Sequence, residues 1–315
     1  MNGKILVTGA SGFIGRSVCE RLSAEGNIKA QYRNINISRA LPGVEMVRGE
    51  LSADFDWRDS LKGVGVIVHC AARAHVLAQI SSDPLSQFRE VNTYGTLNLA
   101  RQAALSGVKH FIFLSSLAVN GASSGDGIFS AESPPNPSTP YAISKYEAEL
   151  GLWKISRETG MSLTILRPPL VYGPGAPGKF GLLVRCINGR LPLPFATLRD
   201  KRSFVFLENL VDLIIHCINH PKAFNQLFLV SDDRDVSVNQ LIRKIGDDLS
   251  RPAILFPVPA FFLNMVAHIF GRSKDIQQLL GPLLVNMEKT KSILNWKPPF
   301  NIDRDKSMTV NKSNL

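Results

Sequence analysis

Short, uninterrupted apolar runs alternate with helical patterns through the first half of the chain. Lys4-Ile5-Leu6-Val7, residues 28–32, residues 64–68, Phe111-Ile112-Phe113-Leu114 and Leu163-Thr164-Ile165-Leu166 read as strands. Residues 13–25, 91–106 and 140–158 read as helices, the second carrying Leu99 and Ala103 one turn apart. Strands buried on both faces are apolar throughout rather than alternating, and strands that alternate with helices form a parallel sheet covered on both sides. After Arg167-Pro168-Pro169 the pattern degrades. Proline and glycine punctuate residues 173–194, residues 224–230 look like one further strand, and residues 236–300 are expected to form a smaller lobe.

Composition narrows the partners. The 315 residues are 44% hydrophobic and 20% charged, enough for a sizeable core, with a formal net charge of +10. The basic residues are scattered rather than clustered, which favours small anionic ligands over nucleic acid. Cys19, Cys70, Cys186 and Cys217 lie far apart and form no C-x-x-C pair, so they read as reduced core cysteines. The chain opens directly on a strand, without a signal-peptide layout, and a cytoplasmic location is expected. No charge falls between Arg251 and Arg272, but Pro257, Pro259, Asn264 and His268 interrupt that segment. It reads as a short strand, a turn and a buried helix, without stable membrane insertion.

The first strand runs into Thr8-Gly9-Ala10-Ser11-Gly12-Phe13-Ile14-Gly15 and a helix follows. Gly9 permits the tight turn, Gly12 admits a pyrophosphate to the positive end of the helix, and Gly15 lets that helix pack closely. The expected fold is therefore an α/β Rossmann doubly wound parallel sheet with a smaller C-terminal substrate-binding lobe. The dinucleotide-binding domain takes residues 1–170 and about 205–232, the lobe 171–204 and 233–300, and a polar tail 301–315. An acidic residue at the end of the second strand would select NAD, and an arginine there NADP. That strand ends Tyr32-Arg33-Asn34, so NADP(H) is preferred, with NAD the alternative, and Glu50 is a candidate partner of the adenine amine.

Tyr141 and Lys145 stand at i and i+4 behind Pro140, on one face of a helix that Ser138 or Thr139 could cap. The helix dipole and the ammonium are expected to lower the phenol toward neutrality, making Tyr141 a proton donor or acceptor. A strand ends in Ser115-Ser116 at the edge where the cofactor should lie, and a hydroxyl there could hydrogen-bond the reacting oxygen. Asn92 is a candidate supporting residue.

Taken in order, Gly9-x-x-Gly12-x-x-Gly15, His69-Cys70-Ala71-Ala72, Asn92-x-x-Gly95-Thr96, Ser115-Ser116, Tyr141-x-x-x-Lys145 and Arg167-Pro168-x-x-Val171-Tyr172-Gly173-Pro174 resemble the extended short-chain dehydrogenases/reductases of the nucleotide-sugar epimerase/dehydratase kind. The resemblance covers roughly residues 3–300. It implies Ser116, Tyr141 and Lys145 as the catalytic residues. It implies a cofactor held by Gly9, Ser11, Gly12, Phe13, Ile14 and Gly15, by Arg33, Glu50 and Leu51, by Ala71, Ala72, Arg73 and Asn92, and by Tyr141, Lys145 and Pro168. His75, Ser116, Leu117 and Tyr141 would meet the sugar, with Arg73 nearby, and Arg202 the diphosphate of a UDP-sugar. The usual acidic residue after that arginine is Ser203 here, and the asparagine before Val171-Tyr172-Gly173-Pro174 is Leu170. A homodimer through the helices at 92–106 and 140–158 is implied by the same analogy.

Leu117 and Ala118 stand where the family's 4,6-dehydratases carry Asp-Glu, which argues against dehydration. Two redox reactions remain. The segments 72–76 and 115–121 resemble bacterial reductases that form UDP-N-acetylquinovosamine or UDP-N-acetylfucosamine for surface polysaccharides. The leading expectation is thus NADPH-dependent reduction of a UDP-4-keto-6-deoxy-N-acetylhexosamine. The alternative is a UDP-sugar 4-epimerase with resident NAD, and a non-catalytic NADP-binding scaffold is a minor third.

Overall fold

The computed structural model describes residues 3–35, 41–74, 83–218, 220–259, 281–305 and 309. Its strands are β1 (Lys4–Thr8), β2 (Ile28–Tyr32), β3 (Val44–Arg48), β4 (Val64–His69), β5 (His110–Leu114), β6 (Ser162–Arg167), β7 (Val171–Tyr172), β8 (Lys201–Ser203), β9 (Val205–Phe206), β10 (Gln226–Leu229) and β11 (Asp235–Ser237). Its helices are α1 (Phe13–Leu22), α2 (Arg58–Leu61), α3 (Pro84–Phe88), α4 (Thr96–Leu105), α5 (Pro140–Thr159), α6 (Gly178–Asn188), α7 (Leu207–Ile218), α8 (Val238–Asp248) and α9 (Glu288–Leu294).

Seven strands form one sheet in the order β10-β6-β5-β4-β1-β2-β3, parallel throughout. The chain runs outward from β1 to β3, then restarts at β4 and runs the other way. This reversal between β1 and β4 opens the crevice at the carboxyl ends of the strands where such sheets take ligands. Side chains alternate between two cores. Val7, Val68 and Ile112 pack with Val18 and Cys19 of α1 and Leu210 and Ile214 of α7. Leu6, Ile67, Phe111 and Phe113 pack with Leu99 of α4 and Leu152 of α5. Apolar residues at successive strand positions are the direct consequence. A third cluster, around Tyr172, Phe180, Phe204 and Ile242, belongs to the later segments.

Two local features depart from the simple reading. The helix expected over 91–106 is α3, then a π-helical turn at Arg89–Gly95, then α4. The widened turn carries Asn92, and such bulges concentrate at functional sites. Residues 260–280, which hold most of the uncharged segment, lie outside the described residues. Of the remainder, Leu255 bridges to Leu193. Among the described residues no helix is long and apolar enough to cross a membrane. The four cysteines are free thiols, with Cys19 and Cys217 buried and Cys70 and Cys186 half-buried.

Candidate active site

The glycine turn is built by close approach. Gly9 has φ +70°, and a β-carbon there would stand 2.8 Å from the backbone of Ala71. A β-carbon on Gly15 would stand 2.3 Å from the Gly9 carbonyl oxygen. The turn therefore lies directly on the residues after β4, and α1 starts against it. Gly12 caps α1 without a side-chain hydrogen bond, and the first turn of α1 carries no acid. The positive end of the helix is thus left for an anion, and these residues fit the pyrophosphate of a dinucleotide. Ser11 is exposed beside it, and Phe13 and Ile14 are half-buried.

A residue absent from the sequence expectations holds this turn in place. Gln31 of β2 accepts the Gly9 N–H (3.0 Å) and donates to the Gly49 carbonyl (2.5 Å). Its neighbour Tyr32 is buried in the α1 core, so Arg33 and Asn34 form the exposed tip of β2. Arg33, Asn34, Ile35 and Arg48 line an open depression beyond β2 and β3. Glu50 is exposed just past β3, and Leu51 is half-buried.

The catalytic candidates come together at the ends of β5 and β6 and the start of α5. Ser116 caps a tight turn over Leu117–Val119, its Oγ accepting the Ala118 N–H (3.2 Å). Thr139 caps α5 by accepting the Ala142 N–H (3.2 Å), with Pro140 in the first helical position. This places Tyr141 in the first turn, with the Ser116 hydroxyl as the hydrogen-bonding neighbour of its phenol. Lys145 follows one turn later, fully buried, its Nζ 4.0 Å from the centre of the Phe113 ring.

The electrostatics correct one expectation. Burial pushes the Tyr141 phenol up to about 12, with the Ser116 hydrogen bond pulling the other way. Lys145 does not bring it toward neutrality, because burial also drives the ammonium down to about 7, against the opposing charge of Glu149. A dry pocket penalises both ions, so neither is fully formed near neutral pH in the free protein. His69 beneath them is held neutral, pushed down to about 3 by burial and then by Lys145, between Thr8 (2.8 Å) and Thr96 (2.9 Å).

Asn92 behaves as a strut. Its Oδ1 accepts the Arg73 N–H (2.8 Å), and its Nδ2 donates to the Arg73 carbonyl (3.1 Å) and to Ser144 Oγ (3.0 Å). It thereby ties the segment after β4 to α5. In that segment Ala71 is half-buried against the glycine turn, Ala72 is exposed, and the Arg73 guanidinium reaches Gln87 (2.7 Å). Pro168 is buried, and its carbonyl accepts the Leu117 N–H (2.8 Å). That bond bears on Leu117, expected beside the sugar. The turn rotates its side chain into the core, where it is 1% exposed, and its amide is already taken. Arg202 is likewise buried, donates to the Gly281 carbonyl, and is held down to about 10 by burial. His75 lies outside the described residues.

Comparison with known proteins now decides the family. The sequence profile described as the NAD dependent epimerase/dehydratase family matches residues 5–230. A Vibrio cholerae protein named UDP-glucose 4-epimerase is 41% identical over 301 residues, 95% of this chain and 92% of that one. The chain belongs to the NAD-dependent epimerase/dehydratase family. An Escherichia coli O157:H7 relative, an N-acetyl-alpha-D-glucosaminyl-diphospho-ditrans,octacis-undecaprenol 4-epimerase, is 28% identical over 84% of this chain and 78% of its own. The fold matches UDP-glucose 4-epimerase of Thermotoga maritima solved with UDP-glucose (TM-score 0.75, 22% identity, 98% of this chain and 96% of that one). It also matches UDP-glucuronic acid 4-epimerase of Bacillus cereus solved with NAD (TM-score 0.78, 18% identity, 98% and 97%). The α/β sheet and the enzyme class expected for this family member are thereby met.

Proposed function

We propose that the protein is a UDP-sugar 4-epimerase, in which hydride leaves C4 of the hexose and returns to the opposite face. The supporting observation is the meeting of Ser116, Tyr141 and Lys145 beside the glycine turn, in a chain 41% identical to a UDP-glucose 4-epimerase over nearly its whole length. A nicotinamide dinucleotide, when bound, supplies the hydride acceptor. Tyr141 carries the C4 hydroxyl proton off and back, Ser116 hydrogen-bonds the same oxygen, and Lys145 holds the ribose and adds positive charge. Gly9, Gly12 and the start of α1 would hold the pyrophosphate, and Arg202, one arm of which donates to the Gly281 carbonyl, would meet the UDP diphosphate with the other, as the family resemblance implies. Exposed Tyr94 and Leu150 beside α4 and on α5 support a homodimer through these helices.

A second reading is a 4-ketoreductase using NADPH on a UDP-4-keto-6-deoxy-N-acetylhexosamine. It is favoured by Arg33 and Arg48 at the depression beyond β2 and β3, with no carboxylate at the tip of β2, an arrangement suited to a 2′-phosphate. The protonated state of Tyr141 also suits donation to a ketone oxygen.

One preparation separates the two. The purified protein is denatured to identify released nucleotide and is assayed by NMR on UDP-glucose without added cofactor. Near-stoichiometric NAD with formation of UDP-galactose is expected. Absence of nucleotide, with NADPH consumed only by the 4-keto sugar, selects the reductase, and absence of both activities overturns both readings.

A further inference from the structure

We propose that Glu149, clamped by Arg167, is a positioning residue for the Ser116, Tyr141 and Lys145 cluster. It locks the end of β5 to α5 and keeps a negative charge one helical turn beyond Lys145. The proposal rests on the catalytic reading of those three residues.

The geometry begins with α5. Lys145 and Glu149 are four residues apart on one face of a 20-residue helix, both buried. Glu149 is met from two other elements. Arg167, the last residue of β6, donates from Nε to Glu149 Oε1 (2.9 Å) and from Nη2 to Oε2 (2.5 Å), a bidentate pair 2% and 3% exposed. Ser115 donates its hydroxyl to the same Oε1. The remaining arm of Arg167 donates to Asn120 Oδ1 (3.0 Å), at the end of the turn that Ser116 caps. Ser116 is therefore bracketed on both sides, by Ser115 and Asn120, by groups that converge on one carboxylate and one guanidinium.

That carboxylate also bears on Lys145. The titratable groups that act on or feel the ammonium are Glu149 on its own helix, His69 at the end of β4 and Cys70 just after it, with Tyr141 one turn before it on the helix. His69 is neutral and the Cys70 thiol is pushed up to about 12 by burial, so Glu149 is the anion that stands against the desolvation of Lys145. A pair serving only the core would be dispensable as a pair, since replacing both members by apolar residues of similar size is often neutral, whereas removing one strands a buried charge. A positioning pair is not dispensable in either way.

This contrast sets the experiment, made on Glu149→Gln and on the double variant Glu149→Leu/Arg167→Met, which avoids a stranded charge if the single variant folds poorly. The titration of Lys145 is followed by NMR of protein labelled at lysine Cε and Nζ, with Lys145→Met identifying the signal. No substrate is needed, so this readout survives even if the proposed C4 activity is absent. The midpoint should fall by about one unit or more in both variants. With UDP-sugar, kcat should fall about 10²-fold while KM stays within about threefold, as for a misplaced catalytic group. Either an unmoved Lys145 midpoint, or a folded double variant turning over within about threefold of the parent, overturns the proposal.

Discussion

Tyr141 and Tyr172 both have phenols raised by desolvation, and their hydroxyls keep opposite company. Tyr141, at the sheet edge, has the Ser116 hydroxyl as its hydrogen-bonding neighbour and Lys145 one turn away. Tyr172, in the cluster of the later segments, donates to Asp232 Oδ2 (2.8 Å), while Asp232 Oδ1 accepts the Phe206 N–H (2.8 Å) and Asn209 Nδ2 (2.7 Å). Burial raises both phenols, but the carboxylate drives Tyr172 further, beyond any useful range, while Ser116 restrains Tyr141 at about 12. Burial alone therefore does not mark a proton-transfer tyrosine. The partner of its hydroxyl does, because a phenol already donating to a carboxylate is committed to holding two segments together.

The largest effect that tests this contrast is Tyr141→Phe. Turnover should drop about 10³-fold, the scale of a lost acid-base group, with cofactor affinity and melting temperature unchanged. Activity near that of the parent would remove Tyr141 from the chemistry. Tyr172→Phe should do the reverse, leaving kcat within about threefold and costing about 1–3 kcal/mol of stability as the carboxylate loses a donor.

That cost has a pH signature. Asp232 is pushed up to about 6 by burial, against its three hydrogen bonds. A carboxyl raised in the folded state stabilises the fold when protonated, and that contribution is lost as pH rises through about 6. The donor from Tyr172 matters most to the ionised form. Urea denaturation of Tyr172→Phe should therefore show a larger deficit at pH 7.5 than at pH 5. An equal deficit at both would mean that Asp232 does not titrate between pH 5 and 7.5 in the folded protein.

The sequence made the frame readable for a physical reason. β1, β4, β5 and β6 are apolar on both faces through their central residues, β2 is marked by Ile28, Ala30 and Tyr32 in alternation, and α5 announces itself by Thr139, Pro140 and a closing Gly160 at φ 74°. The glycine turn and Tyr141-x-x-x-Lys145 are local spacings, so they too were visible. What escaped depends on partners distant in sequence. Gln31 finds Gly9 and Gly49 only once β2 and β3 lie together, and Glu149 acquires its role from Ser115 and Arg167 on other strands. The inward rotation of Leu117 and the widened turn around Asn92 hang on a few backbone angles that carry no compositional mark. The expected lowering of Tyr141 is not met, because desolvation raises the phenol and weakens the ammonium itself.

The smallest effect probes what the two tyrosines ride upon. Tyr172 sits on a two-residue strand, pinned by its own hydroxyl, whereas Tyr141 depends on the first turn of α5. That turn is secured by Thr139, whose Oγ1 satisfies the Ala142 N–H. Removing it in Thr139→Ala should cost about 1 kcal/mol, the usual worth of an N-cap, read as a lower urea midpoint. Because the loosened turn carries Tyr141 and spares the sugar contacts, kcat should fall a few-fold with KM unmoved, and Thr139→Ser should restore both. If Thr139→Ala loses stability while kcat holds, the position of Tyr141 is set by its packing against Phe88 and by Ser116 rather than by the helix start. The two tyrosines would then be held alike, each by the company of its ring and hydroxyl, and would differ only in the charge beside them.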